Sequence, residues 1–488
     1  MENSSCFFEN RECKFFPCHK LDGDFNCLFC YCPLYTREVC PGNPTFIKKE
    51  DGRIIKRCTE CTFPHRPENY ERIMNLLRIK KSEIPAEEYH HGGEERLSFT
   101  DENQAVFAES KNFRFLDFSV NTNPLGLPER VKSSIKNALD LCEKYPDQNC
   151  ARLREKIACQ LKEKCHVDFI SASNIVCGNG ASELISLLVQ ALSPKNALIV
   201  EPAFSGYERA LKANGCKIQR HFLSEENDFA FDEGILDSIG KKTEVCRSEQ
   251  GRSENLLPSD MIFLCSPDNP TGQMISPDLL KKIIKVCEKK GIFLVVDECF
   301  IDFTERSDET ALQFAGKSPH LIILNAFTKI YAMAGLRLGY LVTLNQGILQ
   351  KIKALRPEWN VSALAQIAGE AALDEKAYIE KTRVLIKEER EYLSKELKAL
   401  GFCAFPGEAN FILFRDERKE IQKDDRADVR FSRNNLNLSE NLDGFLLKQG
   451  ISLRNCGNFP GLRENFYRTA VRTHEENVRL IEILSGKE

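Results

Sequence analysis

A chain of 488 residues is too long for one ordinary domain, and 42% hydrophobic with 29% charged residues is the balance of a globular protein, not of a disordered or fibrous one. Lys and Arg (68) nearly cancel Asp and Glu (72), so the formal charge of -4 leaves no electrostatic footprint for nucleic acid. No apolar run approaches the roughly 20 residues that span a bilayer, and the polar opening MENSSCFFENRECK lacks the apolar stretch of a signal peptide, which together predict a cytoplasmic protein with no membrane segment.

The cysteines are unevenly spread. Nine of 21 fall within the first 61 residues (Cys6, Cys13, Cys18, Cys27, Cys30, Cys32, Cys40, Cys58 and Cys61). In a reducing compartment such a cluster reads as metal ligation, and the scattered remainder as small buried hydrophobes. Residues 1 to 70 combine Cys, Pro, Gly and aromatics with almost no helical periodicity, so a bound metal would supply stability that a small core cannot. Cys27, Cys30 and Cys32 form CLFCYC and Cys58 with Cys61 forms CTEC, a paired arrangement suited to a tetrahedral thiolate site, with His19 and His65 as further candidate ligands. Zinc is the first choice and an iron–sulfur cluster the second, a distinction that spacing alone does not make. With 14 Lys and Arg against 12 Asp and Glu in residues 1 to 85, this is not a nucleic-acid finger. Ile73, Leu76, Leu77 and Lys80 recur at helical spacing over 68–81, and the pattern is lost after Ser82. The spacing therefore predicts a cysteine-rich domain over 1–85 and a second part over 86–488.

From about residue 113 strand-like and helix-like segments alternate: NALIVEP, YERALKANG, MIFLCSP, DLLKKIIKVCEKKG, IFLVVDE and LIILNAF. This alternation predicts an α/β fold with a mostly parallel sheet between helices. Residues 240–257 and 416–441 are polar and patternless, and read as mobile surface insertions.

Four signals follow in order. In GNGASEL (178–184), Gly180, Ala181 and Ser182 open a predicted helix, where backbone N–H groups can approach a phosphate. In SPDNPTG (266–272), Asn269 follows a strand and can donate to a phenolate oxygen. Asp297 ends the apolar run IFLVVD, at the strand edge where open α/β sheets bind ligands, and can keep a pyridine nitrogen protonated. In NAFTKIYAMAGLRLGY (325–340), Lys329 sits in an apolar setting as an amine able to condense with an aldehyde, beside Thr328, and Arg337 can grip a phosphate eight residues on. Each signal alone has an ordinary structural explanation. As an ordered set they suit a phosphorylated pyridinium aldehyde.

On these motifs residues 90–488 resemble the fold-type I enzymes that use pyridoxal 5'-phosphate, in the branch containing histidinol-phosphate aminotransferases and threonine-phosphate decarboxylases. The resemblance implies a large domain over about 140–345, a small α/β domain from the remaining parts, and a homodimer with active sites at the subunit interface. It also implies that Tyr145, in KYPDQNCARLREKI, reaches the neighbouring subunit's cofactor phosphate, and that Phe204, in EPAFSGY, stacks on the pyridine ring; a plain core phenylalanine is the alternative.

Within the branch, local detail resembles the decarboxylases of cobalamin synthesis, which convert O-phospho-L-threonine to (R)-1-aminopropan-2-ol phosphate. DFSVNTNPLGLP (117–128), with Asn123, is similar to their segment, and HHGG (90–93), with His91 and Gly92, sits where they hold substrate phosphate, although Glu94 replaces their usual Asn. Phe300 stands where aminotransferases usually carry a tyrosine. The stretch around Trp359 and the arginine-rich ISLRNCGNFPGLRENFYRTAVR (451–472) are similar too, and imply Arg468 for the substrate carboxylate and Arg454 for substrate anions, with Arg472 a weaker candidate. Ala326 departs from the usual Ser or Thr, which removes one phosphate contact. A histidinol-phosphate aminotransferase is the alternative activity, and a regulator would need a helix-turn-helix partner that is not visible. The substrate implied is a small phosphorylated amino acid. Residues 6–70 resemble small cysteine-rich domains found beside cobalamin-pathway enzymes.

Overall fold

The structure, a computed structural model, describes residues 115–239, 259–417 and 441–486 and, ahead of them, 7–14, 16–21, 23–29, 32, 45–48, 54–58, 61–70 and 73–74. The chain divides into two compact units, Met1–Glu88 and Tyr89–Glu488. The expected boundary near residue 85 and the predicted insertion 240–257 lie outside the described residues, as does 418–440 of the predicted insertion 416–441, whose Asp416 ends a strand. Of the helix expected over 68–81, Tyr70, Ile73 and Met74 are helical, with Ile73 fully buried. In the first unit β1 (Thr45–Lys48) and β2 (Ile54–Arg57) form an antiparallel hairpin.

Among the described residues the second unit opens with β3 (Leu116–Asp117) and is built on a sheet of β4 (Ile175–Gly178), β5 (Asn196–Glu201), β6 (Lys217–Phe222), β7 (Met261–Cys265), β8 (Phe293–Asp297), β9 (Leu321–Ala326) and β10 (Gly339–Val342). The order is β4-β10-β9-β8-β7-β5-β6. Neighbours from β6 to β9 are parallel, and β10 runs antiparallel to both β9 and β4. The expected mostly parallel sheet is therefore present.

Residues of β5, β7 and β9 are buried throughout, as a sheet covered on both faces requires. Side chains alternate: Leu198, Ile262, Leu264 and Val296 enter one core, while Ile199, Phe263, Val295 and Ile322 enter the other. Only the edge strand β6 exposes its ends, Lys217 and Phe222, and its Arg220 pairs with Glu201 and Glu208. The covering helix Pro277–Lys290 starts where the Ser276 hydroxyl accepts the Leu279 N–H and stops where Gly291 turns left-handed at φ 67°. No helix among the described residues is long and apolar enough to cross a membrane.

A second, four-stranded antiparallel sheet joins β11 (Phe402–Ala404), β12 (Phe411–Asp416), β15 (Phe466–Ala470) and β14 (Arg454–Asn455), while β13 (Ile451–Ser452) pairs in parallel with β3. The start of this unit is thus stitched to its end. In the large sheet β5 leads to β6 on one side, while β7, β8 and β9 follow on the other. The strand order reverses between β5 and β7, where a crevice opens at the carboxyl edge.

Gly339 of β10 shows how tightly that edge is packed. A Cβ there would stand 2.8 Å from the Ala181 nitrogen and 3.0 Å from the Asn325 oxygen, both backbone atoms that cannot rotate away. Gly339→Ala is expected to destabilise the second unit by about 1–3 kcal/mol, read as a lower urea midpoint; an unchanged midpoint would show that the strand and the Gly180 turn part freely.

Candidate active site

The loops leaving β4, β5, β7, β8 and β9 surround a cavity of about 320 Å³ lined by Ala181, Ser182, Phe204, Asn269, Asp297, Thr328, Lys329, Arg337, Arg454 and Arg468 among others. Gly180 adopts φ 82°, and a Cβ on it would come within 2.6 Å of Arg337 Nη2, so the guanidinium lies directly against the turn. The helix Ala181–Leu192 then points the positive end of its dipole at the same place. Arg337 itself holds the left-handed conformation, φ 57°, a strain of about 1–3 kcal/mol for a side-chain-bearing residue.

Lys329 sits in the short helix Phe327–Ile330 directly after β9. Burial and the positive charges of Arg468 and Arg337 push its amine from the ordinary 10.5 down to about 8. Asp297, the last residue of β8, is buried and accepts hydrogen bonds from Tyr207 Oη at 2.7 Å and from the Cys299 N–H at 3.0 Å. Burial pushes its carboxyl up, and these two donors oppose the shift. Tyr207, which the sequence reading missed, packs flat on Phe263 at 4.8 Å and meets Phe204 edge-on at 5.6 Å. Its only sequence signal is that a buried tyrosine hydroxyl needs a partner.

Arg468 on β15 faces Arg454 on β14 in register. Its Nη1 donates to Asn269 Oδ1 at 2.5 Å and its Nη2 to the Ser119 carbonyl at 2.8 Å, and the guanidinium lies over the Phe411 ring. Burial pushes this arginine down to about 10. Its Nε and the Nδ2 of Asn121 are buried donors with no hydrogen-bond partner among the described residues, and both residues line the cavity. Two orphaned donors beside an arginine pair ask for an anionic acceptor. Arg454 donates to Asn458 Oδ1 at 2.9 Å and covers Phe459.

Residues 114–484 match the family model described as aminotransferase class I and II, and residues 4–86 match one described as a cysteine-rich small domain. The chain belongs to the class I and II aminotransferase family. Over 374 residues it is 36% identical to the threonine-phosphate decarboxylase of Salmonella typhimurium, covering 76% of this chain and 90% of that protein. It is 33% identical over 373 residues to the adenosylcobalamin biosynthesis bifunctional protein CobDQ of Leptospira interrogans, covering 76% of this chain and 38% of that one. Among solved structures, the histidinol-phosphate aminotransferase from Clostridium acetobutylicum aligns with a TM-score of 0.63 at 31% identity, over 76% of this chain and 98% of that one.

Class I and II aminotransferases use pyridoxal 5'-phosphate, and the residues present fit it: a glycine turn with an arginine against it, a buried carboxylate on a strand end, and an amine of lowered basicity in one cavity. Phe300 and Ala326 line the cavity without a hydroxyl, as their identities required.

Other expected residues go elsewhere. Asn123 is buried, but its Nδ2 donates to the Ile330 carbonyl at 2.7 Å and to Thr382 Oγ1 at 2.8 Å, and its Oδ1 accepts the Leu125 N–H. These bonds occupy its amide in holding the turn after Lys329, and Asn121 lines the cavity in its place, correcting the expectation of a substrate contact. Arg472 is paired with Glu476 at 3.0 Å and is not among the cavity residues. Tyr145 is 80% exposed and stacks on Trp359 at 4.4 Å, outside the cavity of its own chain. His91, Gly92 and Glu94 lie outside the described residues.

In the first unit, Cys30 lies outside the described residues, Cys32 is half-buried, and Cys27 Sγ accepts the Asn10 N–H at 3.4 Å. The Cys58–Cys61 turn is closed by its own backbone bond, with Cys61 buried. The ligand-type group that comes together among the described residues is instead Cys18, His19 and His65.

Two measurements test this cavity. The rate of cofactor capture by the apoenzyme should rise with pH and level off above about 8, because only unprotonated Lys329 attacks an aldehyde and its ammonium form is destabilised; a rate still climbing toward 10 would mean an ordinary lysine. Tyr207→Phe should retain the cofactor, lose roughly fivefold in turnover, given about 1 kcal/mol for the hydrogen bond, and move the acid limb of the pH profile upward, because Asp297 loses a donor to its ionised form. An unmoved acid limb would show that the bond does not hold the carboxylate charged.

Proposed function

We propose that this chain decarboxylates O-phospho-L-threonine to (R)-1-aminopropan-2-ol phosphate in cobalamin synthesis, as a cytoplasmic homodimer. Residues 86–488 form the catalytic part, with a large domain over about 140–345 and a small domain from the rest, and residues 1–85 form a separate module. The carrying observation is the arginine pair Arg454 and Arg468, with the orphaned donors of Arg468 and Asn121, in the same cavity as Lys329. A substrate with a carboxylate and a phosphate dianion suits that donor set.

Lys329, a buried amine of lowered basicity, would hold the cofactor through its aldehyde. Gly180, Ala181, Ser182, Thr328 and Arg337 hold the cofactor phosphate, and Tyr145 reaches the phosphate in the partner subunit's site. Phe204 covers the pyridine face. Asn269 presents Oδ1 to Arg468, which leaves its Nδ2 to donate to the phenolate oxygen. Asp297 keeps the proton on the pyridine nitrogen, itself steadied by Tyr207 and the Cys299 N–H. The cofactor, when bound, supplies the electron sink.

Arg468 and Asn121 grip the substrate carboxylate, while Arg454, with His91 and Gly92 from the preceding segment, takes the substrate phosphate. Orientation then decides the outcome. Arg468 and Asn121 would orient the carboxylate as the leaving group, lost as CO2, and Lys329 Nζ would return a proton to Cα. With the Cα–H bond presented to Lys329 instead, its Nζ would remove that proton, which is the transamination alternative favoured by the 31% identity to a histidinol-phosphate aminotransferase.

Purified enzyme given O-phospho-L-threonine should release CO2, and histidinol phosphate with 2-oxoglutarate should yield no glutamate; glutamate without CO2 would overturn the assignment. Arg468→Ala should lower kcat/KM for O-phospho-L-threonine by roughly two orders of magnitude, from about 3 kcal/mol for a buried charge-assisted pair. Equal activity on threonine would mean that no phosphate is read.

A further inference from the structure

We infer that Cys18, His19 and His65 hold a zinc ion in the first unit. The distances carry the assignment. His19 Nδ1 lies 3.3 Å from Cys18 Sγ, and Cys18 Sγ lies 3.8 Å from His65 Nε2. A tetrahedral ion with Zn–S of about 2.3 Å and Zn–N of about 2.0–2.1 Å sets its sulfur and nitrogen ligands about 3.6 Å apart, midway between those values. All three ligand atoms lie within 4.8 Å of one another.

His65 is also held as a metal-binding imidazole is held. It is 1% exposed, and its Nδ1 lies 3.1 Å from the Asn26 carbonyl, while the Asn26 N–H donates back to the His65 carbonyl at 2.8 Å. With Nδ1 carrying the proton toward that carbonyl, Nε2 presents its lone pair to Cys18, which is the outer-shell arrangement that fixes tautomer and ring angle. Asn26 is anchored in turn, its Oδ1 accepting from the Phe8 and Leu28 N–H groups at 3.2 and 3.1 Å. Phe25 stacks on the His65 ring at 4.5 Å and His19 leans on it at 4.7 Å. The bend at residues 17–19 lets two consecutive side chains, Cys18 and His19, turn toward one ring.

One thiolate with two imidazoles selects zinc over an iron–sulfur cluster, which is held mainly by thiolates. Among the described residues three ligands come together, one short of the tetrahedral complement of zinc. The ion joins residues 47 apart in sequence, a long-range link across the unit. None of this depends on the reaction assigned to the second unit.

The test uses the full chain with its cofactor bound. Metal analysis after anaerobic purification should give one zinc per chain. Replacement by cobalt(II) should give a tetrahedral visible spectrum with thiolate charge transfer of one-sulfur intensity. Cys18→Ser and His19→Ala, at the less buried ligands, should each weaken zinc at least tenfold in chelator competition, while Cys27→Ser and Cys58→Ser leave affinity unchanged. Cofactor absorbance serves as the folding control for the second unit. Metal-free protein, a cobalt spectrum of four-sulfur intensity, or zinc lost from the Cys27 and Cys58 variants but kept in the Cys18 variant would each overturn the site. The cobalt spectrum of the unmutated chain decides the matter even if a variant misfolds.

Discussion

Five cationic side chains, Arg209, Lys329, Arg337, Arg454 and Arg468, line one cavity with a single carboxylate, Asp297. Gathering like charges in a partly desolvated space is costly unless anions arrive, and much of the chemistry follows from that imbalance. The field of Arg468 and Arg337 adds to burial in making Lys329 a usable amine near neutral pH. The same field calls for anionic groups to fill the cavity. Asp297 escapes neutralising this charge because it lies at the floor, tied to Tyr207 and the Cys299 N–H, where a protonated ring nitrogen can reach it.

The parallel strands make the gathering possible. β5, β7, β8 and β9 run the same way, so Phe204, Asn269, Asp297 and Lys329 all emerge at one edge although they span 125 residues of sequence. Each follows or ends a continuous apolar run, and that is why these four were legible: a buried strand followed by one polar residue is a local pattern. Tyr207 and Asn121 were not. A tyrosine on a helix face beside a phenylalanine looks like core, and its hydroxyl matters only because β8 brings Asp297 against it from 90 residues away. Asn121 and Asn123 both occur in NTNP and are both buried, but Thr382 and the Ile330 carbonyl capture the second, a choice made by distant segments.

The cysteine-rich unit gives the opposite lesson. Thiolate spacing along the chain suggested that cysteine pairs would converge; among the described residues the ligand atoms that come together belong to a bend at Cys18 and His19 and to a histidine 47 residues away from Cys18. Cys27 instead receives the Asn10 N–H, and its own N–H donates to the Phe8 carbonyl, which uses that segment to build the scaffold around Asn26. Local spacing predicts ligands well where a short knuckle binds both, and poorly where long-range backbone pairing sets the positions.

The fold contains a direct physical link between its two sheets at the cavity. Asn269 belongs to the loop after β7 of the large sheet, whereas Arg468 belongs to β15 of the small one, and a 2.5 Å hydrogen bond joins them. The Ser119 carbonyl, just beyond β3, holds the other arm of the same guanidinium, and Phe411 of β12 supports its face. Arg468 is thereby indexed to Asn269, so the two sheets meet at the cavity through one guanidinium. A shift of the small sheet relative to the large one would move this guanidinium within the cavity. One buried arginine is thus held jointly by β15, the loop after β7 and the residue beyond β3.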